Sequence, residues 1–273
     1  MAHTTTIKIN IETRGESIDS AKLDIAKKLI NIAHELQRRF LLAEKSMLIF
    51  SELIDNGPLF NSIENTYEAH VVETLRIQLF RILIVDLWGC VFDEDSRTGS
   101  VRSILKELRR CNCSLDALKA FYTDTECLEI SFEGNITDDE IELQKERIKK
   151  RHIEEQLESI NREWEEINIG SGILDNVEAK RLKWLRHKII VHYEKTGSGL
   201  HVYDDIPPEG NGPISWIEPV DYFNNVRGYV YKVFYLLTST SWSAKSTDID
   251  TFYSKAFWDR FMNGRTELEP TGI

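Results

Sequence analysis

Apolar residues recur every three or four positions along most of this chain, and that spacing commits it to helices. Between Asp19 and Leu42 the series Leu23, Ala26, Leu29, Ile30, Ala33, Leu36, Phe40 and Leu41 marks one face of a 3.6-residue repeat. Only 14 Gly and 6 Pro occur in 273 residues, and they cluster between the periodic stretches. That distribution favours long helices over a many-turned β fold. The predicted class is all-α: a helical bundle with a long central apolar helix and a long charged helix.

Further elements follow along the chain. Glu44–Ile54 reads as a second helix, stopped by Asn56-Gly57-Pro58. From about Thr66 to Phe92 the pattern is apolar nearly all round, which predicts a helix at the bundle centre. Its internal charges, Arg81 and Asp86, then need partners, because an unpaired buried charge is costly. Ser100–Arg110 and Ser114–Thr123 read as shorter helices around the polar loop Asp93–Gly99. Thr137-Asp-Asp-Glu140 is a capping box opening a charged helix to about Ile167. Ile153, Leu157, Ile160, Trp164 and Ile167 give that helix a seam for one partner helix, in cis or in a dimer. Asp175-Asn-Val-Glu178 is a second capping-box pattern, before Val177, Leu182, Leu185, Ile189 and Ile190. That helix is expected to end near His192–Lys195. Leu200–Glu218 is irregular, either a functional loop or lid or a long connection. Pro219 begins a last long helix, and Phe252–Met262 a short aromatic one. Residues 1–16 are expected to be disordered or extended, and 17–265 to form a single domain with peripheral helices.

Composition narrows the function classes. The formal net charge is −11, which disfavours non-specific nucleic-acid binding unless basic residues are locally concentrated. The cysteines Cys90, Cys111, Cys113 and Cys127 lack the spacing of a zinc site and are expected to be reduced thiols. No histidine–carboxylate cluster appears at metal-ligand spacing, so no metal or cofactor is expected. The N-terminus does not read as a signal peptide, and the longest apolar run, Leu79–Phe92, is too short to span a bilayer. A cytoplasmic protein with no membrane association is the expectation.

One segment stands out chemically: Arg186-His-Lys-Ile-Ile-Val-His192, then Tyr193. An arginine followed by a histidine five or six residues on occurs three times, at Arg147–His152, Arg181–His187 and Arg186–His192. Only the third has a polar residue directly after the arginine and a histidine at a helix end. Positive charge is also local: six Lys/Arg and one acidic residue lie between Lys180 and Lys195. A second basic run covers Lys145 to Arg151. Residues six apart lie about 120° apart around a helix axis. Arg186 and His192 therefore share a face only if the helix loosens, or else a two-fold dimer completes the site from two chains.

This segment resembles the arginine–polar–spacer–histidine motif of the HEPN superfamily, small helical domains found in many bacterial toxin and anti-phage systems. Asp86-Leu-Trp-Gly-Cys-Val-Phe-Asp93, followed by Arg97-Thr-Gly-Ser100 and Val101–Leu108, is similar to the abortive-infection AbiU-like branch. In element order the likeness covers roughly residues 20–240. The resemblance implies a metal-independent endoribonuclease, usually dimeric, acting on an RNA substrate, with an antitoxin or regulatory protein as a possible partner. His192 would be its general base or acid at the ribose 2′-hydroxyl or the leaving oxygen. Arg186 would stabilise charge developing on the phosphate. His187 would orient the pair or hold the phosphate, with Lys183, Lys188 and Tyr193 also binding substrate. Toxins silenced by a partner nucleotidyltransferase carry tyrosine two residues after the histidine; here that position is Glu194, which argues against such modification. Two other readings stand beside the nuclease: a non-catalytic HEPN module binding nucleotide, RNA or protein, and a plain basic helix C-terminus favoured by the dipole.

Overall fold

The computed structural model describes residues 4–10, 13–15, 17–54, 67–95, 98–110, 112–133, 137–188, 209, 212, 214–240 and 256. Among them the chain is all-α, apart from one two-stranded ladder. The helices are α1 (Ser20–Ile54), α2 (Tyr67–Leu87), α3 (Val101–Arg110), α4 (Asn112–Tyr122), α5 (Asp138–Gly170), α6 (Val177–His187) and α7 (Glu218–Thr238). Strand β1 (Thr4–Ile9) pairs antiparallel with β2 (Leu128–Glu133), Thr4 opposite Glu133 and Ile9 opposite Leu128.

The two helices expected on either side of Leu42–Glu44 are one continuous helix, α1. No Gly, Pro or cap interrupts the sequence there, and Ala43, Glu44 and Met47 are buried on the same face as Leu36 and Phe40. Alongside it lies α7, whose buried face includes Val220, Phe223, Val226, Val230 and Phe234. Phe40 and Phe223 stack at 4.7 Å between them. Buried Glu44, on the same side of α1, meets Arg227 Nη1 at 3.4 Å and Tyr231 Oη at 3.3 Å.

Helix α2 corrects the expectation of an enclosed apolar helix. Val72, Phe80, Leu83, Ile84 and Leu87 are buried, but Val71, Leu75, Ile82 and Val85 remain 37–48% exposed. Asp86 is satisfied as expected, accepting from Ser46 Oγ of α1 at 3.2 Å.

The seam of α5 packs in cis. Tyr229 Oη of α7 donates to Ile167 O at 2.9 Å, and Lys232 pairs with Glu166 at 2.5 Å. Gly170 lets the Tyr229 ring approach, since a Cβ there would lie 3.2 Å from it. Thr137 caps α5 with the full reciprocal box to Glu140. At α6 the cap is Asn176 rather than Asp175: its side chain accepts from Ala179 N at 2.7 Å. Cys90 and Cys127 are free and buried, whereas Cys113 is disulfide-bonded, which departs from the all-thiol expectation. Among the described residues no helix is long and apolar enough to cross a membrane.

Candidate functional site

Helix α2 does not end in a Gly or Pro stop. It widens into a π-turn over Trp88–Phe92, closed by Asp93 N–H donating to Trp88 O at 3.0 Å. Such wide turns are frequent at functional sites because they re-aim side chains. This one leaves the Trp88 and Phe92 rings 6.0 Å apart. Beyond it, Ser100 Oγ donates to Asp93 O and accepts from Ser103 N, so the same hydroxyl ties the turn to the start of α3.

Both aromatic rings carry a cation from α6. The Arg186 guanidinium lies 4.4 Å from the Trp88 ring centroid, and Lys183 Nζ lies 5.0 Å from that of Phe92. Such contacts fix a charge by ring electrostatics without using its N–H donors. Arg186 Nε is buried and, among the described residues, has no hydrogen-bond partner. Phe92 is held from behind by Tyr222, stacked at 5.5 Å. The two segments that carried the family resemblance, Asp86–Asp93 and the start of Arg186–His192, therefore meet in space.

A carboxylate extends the cluster. Asp175 Oδ1 accepts from Lys183 Nζ at 3.1 Å and from Arg102 Nη2 at 2.6 Å, and Arg102 also reaches Glu94 and Leu174 O. Burial works against the Asp175 carboxylate, but the hydrogen bonds from Arg102 and Lys183 outweigh it and hold its pKa below the usual range. Burial also lowers the pKa of Lys183, more than Asp175 restores it.

Of the residues proposed from the sequence, Arg186 and Lys183 belong to this cluster. Exposed His187 is the last residue of α6. Lys188, still in right-handed helical conformation, donates its N–H to the Trp184 and Leu185 carbonyls, and its Nζ lies over the Trp184 ring at 5.3 Å. His192 and Tyr193 lie outside the described residues, as do most of 200–218 and nearly all of 252–262.

The other two arginine–histidine spacings have structural roles. Arg181 is buried and grips Glu218 with both Nε and Nη2 at 2.9 Å, while donating to Glu209 O and Gly212 O. His152 shares a hydrogen bond with Tyr122 O at 3.2 Å, and burial lowers its pKa. Four of the five cations of the second basic run are paired: Lys145, Lys150 and Arg151 with Glu142, Glu154 and Glu155 of α5, and Lys149 with Glu126 before β2.

Sequence reasoning missed Trp88, Phe92, Arg102 and Asp175. Both aromatics lie in the Asp86–Asp93 segment that carried the resemblance, but at the end of an apolar run they read as core and were given no site role. Among the described residues no group of acidic, histidine or cysteine side chains is arranged to hold a metal ion. Cys90 is no nucleophile, since burial and the nearby Asp86 push its thiol up to about 12. In comparisons with protein-family models, curated proteins and solved structures, nothing matches this chain.

Proposed function

We propose that this chain is a metal-independent endoribonuclease of the toxin or abortive-infection type, with Arg186 and His192 as its acting residues. The observation that carries the reading is the state of Arg186. Its guanidinium is held on Trp88 at 4.4 Å, and its Nε is buried and unbonded. A buried unmade donor is expensive, so such groups call for a specific reason. Arg14, Arg76 and Arg102 also bury an unbonded Nε, so what supports the reading is the placement of the guanidinium on Trp88 at the helix end, from where its outer N–H donors can serve a phosphate oxygen. The role of His192 rests on the sequence resemblance.

The homodimer in this reading is supported by the open face of α2. Val71, Leu75, Ile82 and Val85 are spaced like the seam of a coiled coil, and Leu42 and Ile49 of α1 are exposed too. Together the six residues on these two packed helices expose on the order of 500 Å² of largely apolar surface. A standard interface takes about 800 Å² per partner, and homodimer interfaces are about 65% apolar. The patch is thus the apolar share of one such surface, and a second copy of the chain is the occupant we assign to it.

The test is RNA cleavage by the purified protein in excess chelator. Cutting is expected for the unmodified chain and lost in Arg186→Ala and His192→Ala with helical content unchanged. Trp88→Leu, which removes the ring under Arg186, should reduce it by roughly tenfold. Cleavage that survives both Ala changes refutes the reading; RNA binding without turnover favours a non-catalytic HEPN-like module.

A further inference from the structure

Helix α3 carries Arg102, Lys106, Arg109 and Arg110 at positions i, i+4, i+7 and i+8, so the four lie along one side. They line an open groove of about 480 Å³ that also includes Glu94, Ser171 and Asp175. Arg109 and Arg110 sit in the last turn, where the helix dipole welcomes cations. Arg102 sits in the first turn, where the dipole opposes a cation, and its Nε is buried without a hydrogen-bond partner. Lys106 is exposed and, among the described residues, makes no ion pair. Asp175, Glu94 and Leu174 O hold Arg102, Asn168 Oδ1 accepts from Arg109, and Glu107 pairs with Arg110, whereas no side-chain bond among the described residues accounts for Lys106.

The groove is continuous with the site on α6. Arg102 and Lys183 share Asp175 Oδ1, Lys183 rests on Phe92, and Phe92 adjoins the Trp88 that carries Arg186. Four cations of α3 and, linked through Asp175 and the two rings, Lys183 and Arg186 of α6 thus stand beside the carboxylates of Glu94, Glu107 and Asp175, in a chain of net charge −11. From Arg102 to Arg110 the row is about 12 Å long, a span over which one nucleic-acid strand carries about three phosphates.

We infer that the groove between α3 and the turn Ser171–Leu174 with Asp175 is a track for the phosphodiester backbone of single-stranded RNA, leading it past Lys183 to Arg186. Arg102 and Lys183, fixed through Asp175, form the pre-organised end nearest the site. Lys106, Arg109 and Arg110 form the exposed end, where contacts are electrostatic and independent of sequence. The inference rests on the nuclease reading for the identity of the strand, but its residues lie outside the Arg186–His192 segment.

The experiment measures fluorescence anisotropy of a labelled 2′-O-methyl oligouridylate of about a dozen nucleotides, across a salt series with chelator present. This probe cannot be cut through its own 2′-oxygen, so binding is separated from cleavage. The double variant Lys106→Glu with Arg110→Glu alters exposed side chains only. It should bind at least about tenfold more weakly, and the slope of log affinity against log salt should flatten by roughly 1.4, or 0.7 for each lost phosphate contact. Arg186→Ala should keep the slope within about one phosphate contact of the unmodified protein. An unchanged affinity and slope in the double variant overturns the track. A protein that cuts RNA while the double variant binds normally loses the track and keeps the nuclease reading. One that binds through the track and never cuts does the reverse. Absence of RNA binding by the unmodified protein overturns the inference and directs the groove to an acidic protein partner.

Discussion

Five residues before Arg186 on the same helix, Arg181 has a different task, and its removal can be given a magnitude. Its side chain is 9% exposed and that of Glu218 is 23% exposed. The pair is bidentate, and the remaining donors take Glu209 O and Gly212 O. Glu218 in turn accepts from Ser215 N at 2.9 Å, so one guanidinium fastens the approach to α7 onto α6. Arg181→Met keeps most of the aliphatic stem but leaves a carboxylate and two carbonyls without that donor. Breaking a buried pair costs about 3–5 kcal/mol. The lower end, about 3 kcal/mol, applies because Glu218 retains some solvent. For a chain of this size that loss lowers Tm by roughly 6–12 °C. Urea denaturation measures it without screening the charges. Glu218→Gln should lose a similar amount, and the double variant little more than either, giving a coupling energy of about 1.5 kcal/mol or more. A loss below about 1 kcal/mol for Arg181→Met, the range of exposed pairs, would refute the clamp.

Two further outcomes are expected. Asp124 accepts from Gly15 N at 2.5 Å and Ser17 Oγ at 2.7 Å; burial opposes its charge, but these bonds prevail and its pKa is lowered from 3.8. A lowered carboxylate pKa means the stabilisation is present above the unfolded value and disappears as pH falls through the folded one. Asp124→Asn should therefore be less stable by about 1–3 kcal/mol at neutral pH, with the gap closing in urea titrations below about pH 4; a gap independent of pH would rule out the charged bond as its source. For the proposed homodimer, Ile82→Glu should give monomer in light scattering where the unmodified chain gives dimer, with the helical circular dichroism intact; a monomeric unmodified chain, or a variant with unchanged mass, would refute an interface through α2.

Much of this protein is decided by neighbours three or four residues apart, and that part is legible in the chain. The apolar stripes of α1 and α7, the Thr137–Glu140 box and the Pro at the start of α7 are all local, so their elements follow from spacing and hydrogen-bonding capacity alone. The cation-rich helix carrying Arg186 was legible for the same reason, while its expected end near His192–Lys195 lies outside the described residues. What lay beyond reach was non-local. The ladder joins Thr4–Ile9 to residues more than a hundred positions away, and a polar six-residue segment gives no local sign of its partner. An apolar residue does not say whether its burial is inside the chain, so α2 read as enclosed although one face is open. Arg181 and Arg186 carry the same side chain on the same helix. Only the packing separates them, because a guanidinium becomes an ion-pair clamp or a ring-held charge according to whether Glu218 or Trp88 lies opposite.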